Sequence, residues 1–99
     1  MPAVTRTGDS VITGHGCDGT TVMSSGSPDV FTNGIMTIRQ GDQTVVHTIP
    51  SGDSCVPHTV PLISGSSTVF VNGKQCGRIG DPIDAGQLSG GSSNVFAGG

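Results

Sequence analysis

Three histidines and three cysteines hold most of the chemistry this chain can do: His15, His47 and His58, with Cys17, Cys55 and Cys76. Neutral imidazole is the commonest metal ligand, and thiolate and imidazole together suit zinc. The histidines are not scattered. His15 stands six positions after Asp9, His47 five after Asp42, and His58 sixteen after Asp42, each downstream of a Gly-Asp pair. An odd number of cysteines cannot complete a disulfide framework. The N-terminus, MPAVTRTGDS, lacks the basic start and apolar run of a signal peptide. That places synthesis in the cytoplasm and disfavours disulfides. Each cysteine, taken alone, reads as a small buried residue.

The elements that must position these side chains are written three times. Ser25–Gly34 reads SGSPDVFTNG, Ser64–Gly73 reads SGSSTVFVNG, and Gly90–Gly99 reads GGSSNVFAGG. An Arg-x-Gly-Asp element precedes each, at Arg6–Asp9, Arg39–Asp42 and Arg78–Asp81. Val-Phe followed by Asn-Gly predicts a short strand entering a two-residue type I′ turn at Asn33-Gly34 and Asn72-Gly73. Return strands are expected over Ile35–Arg39 and Lys74–Ile79, each ending at a Gly-Asp bend. No segment has the apolar spacing of a long helix; a single helical turn is expected at most within Gly52–Pro57. From Asp9 to Phe31 is 22 positions, from Asp42 to Phe70 is 28, and from Asp81 to Phe96 is 15, so insertions collect after each Gly-Asp. A pseudo-three-fold arrangement brings those segments, and with them the histidines, to one end.

The expected fold is therefore all-β: one domain over residues 1–99, a small pseudo-three-fold cone of short hairpins with a metal near its apex. Composition agrees. Only 32% of residues are hydrophobic, Trp and Tyr are absent, and Phe31, Phe70 and Phe96 are the only aromatics, so the core is thin. With 11% charged residues and a net charge of −3, the chain lacks the high net charge of a disordered one, and it needs a staple. Zinc fits three imidazoles best, with iron as an alternative. Weak acidity argues against nucleic acid, and no apolar run is long enough for a membrane-spanning helix.

These residues carry a resemblance. The thrice-repeated Arg-x-Gly-Asp and SGSxxVFxNG-like units, with Gly-His-Gly-Cys after the first Gly-Asp, resemble the PAAR-repeat proteins over nearly the whole chain. The tetrapeptide that names the family corresponds here to Met36-Thr37-Ile38-Arg39 and Gln75-Cys76-Gly77-Arg78, where only the arginine is kept. The resemblance implies a sharp tip capping the trimeric β-helical spike of a contractile phage tail or type VI secretion system, one tip per trimer. Such a tip meets the target membrane transiently and takes no small-molecule substrate. It would sit in a virion or be secreted by the type VI machinery; the short chain and its Gly-His-Gly-Cys loop lean toward a phage. The family's one structural metal, usually zinc, is held by three histidines and a cysteine. His15, His47 and His58 match the histidines, but Ala85 stands at the cysteine position. Cys17 or Cys55 is expected to supply the fourth ligand, with Asp84 or a water as other options; Cys76 is expected to pack.

The Val-Phe residues (Val30, Phe31, Val69, Phe70, Val95 and Phe96) are expected to form the inner core and base. The Arg-x-Gly-Asp turns are read as structural, since no helix follows to cradle a phosphate. The competing class is a small three-histidine zinc hydrolase or hydratase with an open metal position. Asp53 and Asp84 are its candidate bases, although both read more simply as solvated turn residues.

Overall fold

The computed structural model describes residues 1–99 as ten short strands without a helix. In chain order these are β1 (Ser10–Ile12), β2 (Thr20–Val22), β3 (Phe31–Thr32), β4 (Ile35–Met36), β5 (His47–Ser51), β6 (Ser54–His58), β7 (Phe70–Val71), β8 (Lys74–Gln75), β9 (Pro82–Ile83) and β10 (Gly86–Leu88). An antiparallel sheet runs in the order β2-β1-β10-β9, and β3-β4, β5-β6 and β7-β8 are separate hairpins. The expected helical turn in Gly52–Pro57 is absent. Those residues close the β5–β6 hairpin, with Gly52 at φ 60° in its turn.

The Asn-Gly turns form as expected. Asn33 and Gly34 have φ of 55° and 77°, Asn72 and Gly73 of 55° and 76°, and a type I′ turn needs positive φ at both positions. The third unit completes its hairpin with the other end of the chain. Phe96 bridges Ala3, and the Ala97 N–H donates to the Pro2 carbonyl at 3.0 Å. Residues 2 and 3 thus serve as the third return strand.

Three-fold closure is visible in the hydrogen bonds. The residues just before each arginine form a ring: Ile38 N–H donates to Thr5 O (3.1 Å), Gly77 N–H to Ile38 O (2.8 Å) and Thr5 N–H to Gly77 O (3.0 Å). Ile38 fills the space at this ring that Gly77 leaves free; a Cβ on Gly77 would press on Ile38 and Leu62. A second ring joins successive repeats through buried serines. Ser27 Oγ donates to Asn72, Ser92 Oγ to Asn33, and Ser66 Oγ to the carbonyl of Gly98, which replaces asparagine in the third unit.

Each Arg-x-Gly-Asp element is a closed turn, as expected. The aspartate Oδ2 accepts from the backbone N–H and Nε of its arginine, and Oδ1 accepts from the far guanidinium nitrogen, in all three copies. The main core gathers equivalent residues of the repeats, Met23 with Leu62 and Leu88, and Val11 with Ile83, together with Ile38; Val11 lies across from Leu88 and Leu62 across from Ile83. A second cluster holds Val4, Val71, Cys76 and Ala97. Cys76 therefore packs, and burial pushes its thiol pKa up.

The Val-Phe expectation needs correction. Phe31, Phe70 and Phe96 are 54%, 55% and 50% exposed, and Val30, Val69 and Val95 are also exposed. Strand alternation turns the phenylalanines outward, because Thr32, Val71 and Ala97, one position on, turn inward; Val30 and Val69 precede β3 and β7 and lie outside that alternation. The result is an all-β pseudo-three-fold cone with extents of 41 × 23 × 23 Å.

Candidate metal centre

The insertions after Gly-Asp are strands and tight turns, and they converge on one cluster. Strands β5 and β6 pair in a register that sets His47 directly opposite His58. Cross-strand partners point to the same face, so one hairpin places two imidazoles together. The turn between β9 and β10 consists of Asp84 and Ala85, with Asp84 at φ 57°. This turn is locked to the end of β1 by the Ala85 N–H, which donates to Thr13 O at 2.9 Å. The approach is close enough that a Cβ on Gly14 would strike Ala85 backbone, and one on Gly86 would strike Ile12 backbone. His15 follows Thr13 by two residues and so arrives beside Asp84.

All three Nε2 atoms face one carboxylate oxygen. Asp84 Oδ2 lies 2.8 Å from His15, 3.0 Å from His47 and 3.1 Å from His58. The side chains are largely buried, and one donor atom from each falls within 4.8 Å of all the others. Two of the rings are oriented from behind: Nδ1 of His15 meets the Gly16 carbonyl at 2.8 Å, and Nδ1 of His47 the Val45 carbonyl at 3.0 Å. A carbonyl can only accept, so each Nδ1 carries a proton and donates it. In neutral imidazole that leaves a lone pair on Nε2.

Lone pairs and a carboxylate then converge, an arrangement that calls for a cation: extra protons on the rings or a metal between them. The Gly16 carbonyl first and the Asp84 carboxylate second hold the His15 pKa above its ordinary value, despite opposing desolvation. Burial pushes the Asp84 pKa up, but contacts with His47, His15 and His58 outweigh it and leave the carboxyl below the usual range. The donor set, three imidazoles, two of them oriented through Nδ1, and one oxygen, fits a four-coordinate zinc ion and also suits other first-row divalent metals.

Cys17 and Cys55 do not take the fourth place in this structure, because their sulfurs are bonded to each other, Cα to Cα 6.0 Å. Two local facts divert them. Cys55 lies three residues before His58 on β6, and strand alternation sends an odd-numbered offset to the opposite face. Cys17 has φ 65°, so the segment after His15 turns back instead of running extended. The expectation that disulfides are disfavoured is thereby also corrected. Asp84, read as a solvated turn residue or as one option for the fourth ligand, is the group that arrives. Its signal was position: it belongs to the third post-Gly-Asp segment, one residue before Ala85.

A cone built from three repeats, with three imidazoles and a carboxylate gathered from its insertions, defines a small structural tip with a metal-ready vertex. The PAAR motif matches residues 18–87 of the 99, and the chain belongs to that family. Its proteins are structural tips of contractile injection machinery, phage tails and type VI secretion systems, and associate there with a spike protein. No curated protein matches the chain closely enough to narrow this further.

Proposed function

We propose that residues 1–99 form one tip domain that caps a trimeric β-helical spike and leads it through the target membrane. The observation that carries this reading is the ring of exposed Phe31, Phe70 and Phe96 at equivalent positions of three repeats. Half-exposed phenylalanines recurring at equivalent positions, each after an exposed valine, suit a partner surface. A pseudo-three-fold chain presents the same patch to each of three identical chains, and strand edges there can continue a β-helix by augmentation. At the other end, His15, His47, His58 and Asp84 would bind one zinc ion as a pin. Structural zinc contributes roughly 10 kcal/mol or more of apparent folding free energy in small domains, and a tip under load must not splay.

Two measurements test this. Elemental analysis of the purified chain should find one metal ion per molecule; a metal-free, fully stable protein would defeat the pin. Co-sedimentation with a trimeric spike should give one tip per three spike chains, and equimolar binding would contradict the cap. The zinc hydrolase or hydratase reading is weaker: Asp84 stands where a catalytic zinc would keep water, and no cavity offers a substrate seat. Chelator-sensitive turnover of an ester or of carbon dioxide would revive it.

A further inference from the structure

We propose that the Cys17–Cys55 disulfide is a redox lock on the vertex: its formation raises the affinity of the His15, His47, His58 and Asp84 group for a divalent metal, and the metal makes the disulfide harder to reduce. This inference rests on reading that group as a metal site. Three of its four ligands are placed without the disulfide. The β5–β6 register fixes His47 against His58, and the β9–β10 turn is held to β1 through Ala85 and Thr13. His15 is different. Its loop runs through Gly14, Gly16 and Gly19, residues with much conformational freedom to lose.

That loop meets the hairpin bearing the other two histidines through Asp18 and the disulfide. The Asp18 N–H donates to Thr48 O at 3.2 Å and its carboxylate accepts from Thr48 N–H and Thr48 Oγ at 2.9 and 2.8 Å, contacts that water can replace on an exposed residue. The disulfide is the covalent tie, joining residues 38 apart in sequence. Cys17 sits in a left-handed conformation that glycine would adopt with less strain, so the side chain is kept at a conformational cost. Cys55 points away from the metal face, so lock and metal do not compete for ligands and both can be closed at once. A loop already ordered by one closure loses less entropy to the other, and the coupling is reciprocal.

Both cysteines are exposed and open to exchange, while Cys76 is buried and takes no part. The lock closes by thiol–disulfide exchange with a disulfide-bearing oxidant. One thiolate attacks a sulfur of the oxidant, forming a mixed disulfide and expelling one thiolate. The second cysteine, as thiolate, then displaces the other. The chain loses two electrons and two protons, and the oxidant leaves as two thiols. In a reducing compartment the His15 loop loses its covalent tie to the hairpin and metal is held less tightly; in an oxidising one the vertex is fixed.

The test is a zinc titration against a chromogenic chelator, using the oxidised chain, the phosphine-reduced chain and the Cys17→Ala/Cys55→Ala variant. The oxidised chain should bind more tightly than either other form, by a factor in the roughly 5- to 150-fold range of such couplings. In glutathione buffers, saturating free zinc should shift the disulfide equilibrium of the wild-type chain by the same factor. That second measurement decides the matter if the variant does not fold. Equal affinities and an unshifted equilibrium would overturn the lock alone. Tightest binding by the reduced wild-type chain would overturn it in favour of thiolate ligation. No zinc binding in any form would overturn the metal reading as well.

Discussion

A carboxylate set among three imidazoles responds to pH in opposite senses with and without a metal. In the metal-free chain the His15 pKa is raised, first by the Gly16 carbonyl and then by Asp84. A raised histidine contributes stability that is fully present below about pH 6.5 and is lost as pH rises through the folded value. The Asp84 pKa is lowered on balance, so its contribution is present above the ordinary carboxylate range and is lost on acidification below it. The metal-free chain should then be most stable between about pH 4 and 6.5. Metal reverses the upper limb, because it binds deprotonated imidazole. Melting temperature measured from pH 5 to 8 should fall with rising pH in chelator and climb with rising pH in zinc. Parallel curves would mean that His15 and its neighbours do not hold the ion.

The recurrent element is the arginine turn, and its chemistry depends on shape as much as charge. Arg39 spans Asp42 with Nε and a terminal nitrogen while its other terminal nitrogen reaches the Asn72 side chain at 3.2 Å. That asparagine also accepts from Ser27 of the preceding unit, so one side chain ties the turn to the joint between repeats. Lysine presents a point charge and cannot make this planar fork. Arg39→Lys should destabilise the chain by roughly 1–3 kcal/mol, a range set by lost charged hydrogen bonds. Denaturant unfolding would measure it, and a cost below about 0.5 kcal/mol, the scale of ordinary surface changes, would contradict the account. The turns themselves were legible from the sequence because the motif repeats; the asparagine and serine partners were not, since each comes from a different repeat.

At the scale of the molecule, the buried axis and the exposed phenylalanine ring have opposite needs. Ile38 is fully buried where the repeats meet, filling the space that Gly77 leaves free. Ile38→Ala should cost about 2–5 kcal/mol in chemical denaturation, since neither Thr5 nor Gly77 can grow into the gap. The phenylalanine ring behaves differently. Each side chain is about half exposed, so Phe31→Ser, Phe70→Ser and Phe96→Ser together should leave the fold intact by circular dichroism yet abolish co-sedimentation with a trimeric spike. Retained binding by the triple variant would move the docking surface elsewhere.

Local features of this chain were legible in the sequence because they depend on neighbouring residues. The Asn-Gly turns, the arginine turns and the three-fold repeat follow from short-range chemistry, and the repeat alone located the histidines at a common end. Which side chains face one another there is a matter of strand parity and register. One residue of offset moves a side chain to the other face. That parity turned the phenylalanines outward, sent Cys55 away from His58 and toward Cys17, and opposed His47 to His58. The position of Asp84 depended on a close backbone approach between the ends of β1 and β10, two segments about seventy residues apart in sequence. Composition and repetition thus determined a β cone with its histidines at one end; only the tertiary structure decided that the Asp84 carboxylate stands among the three imidazoles.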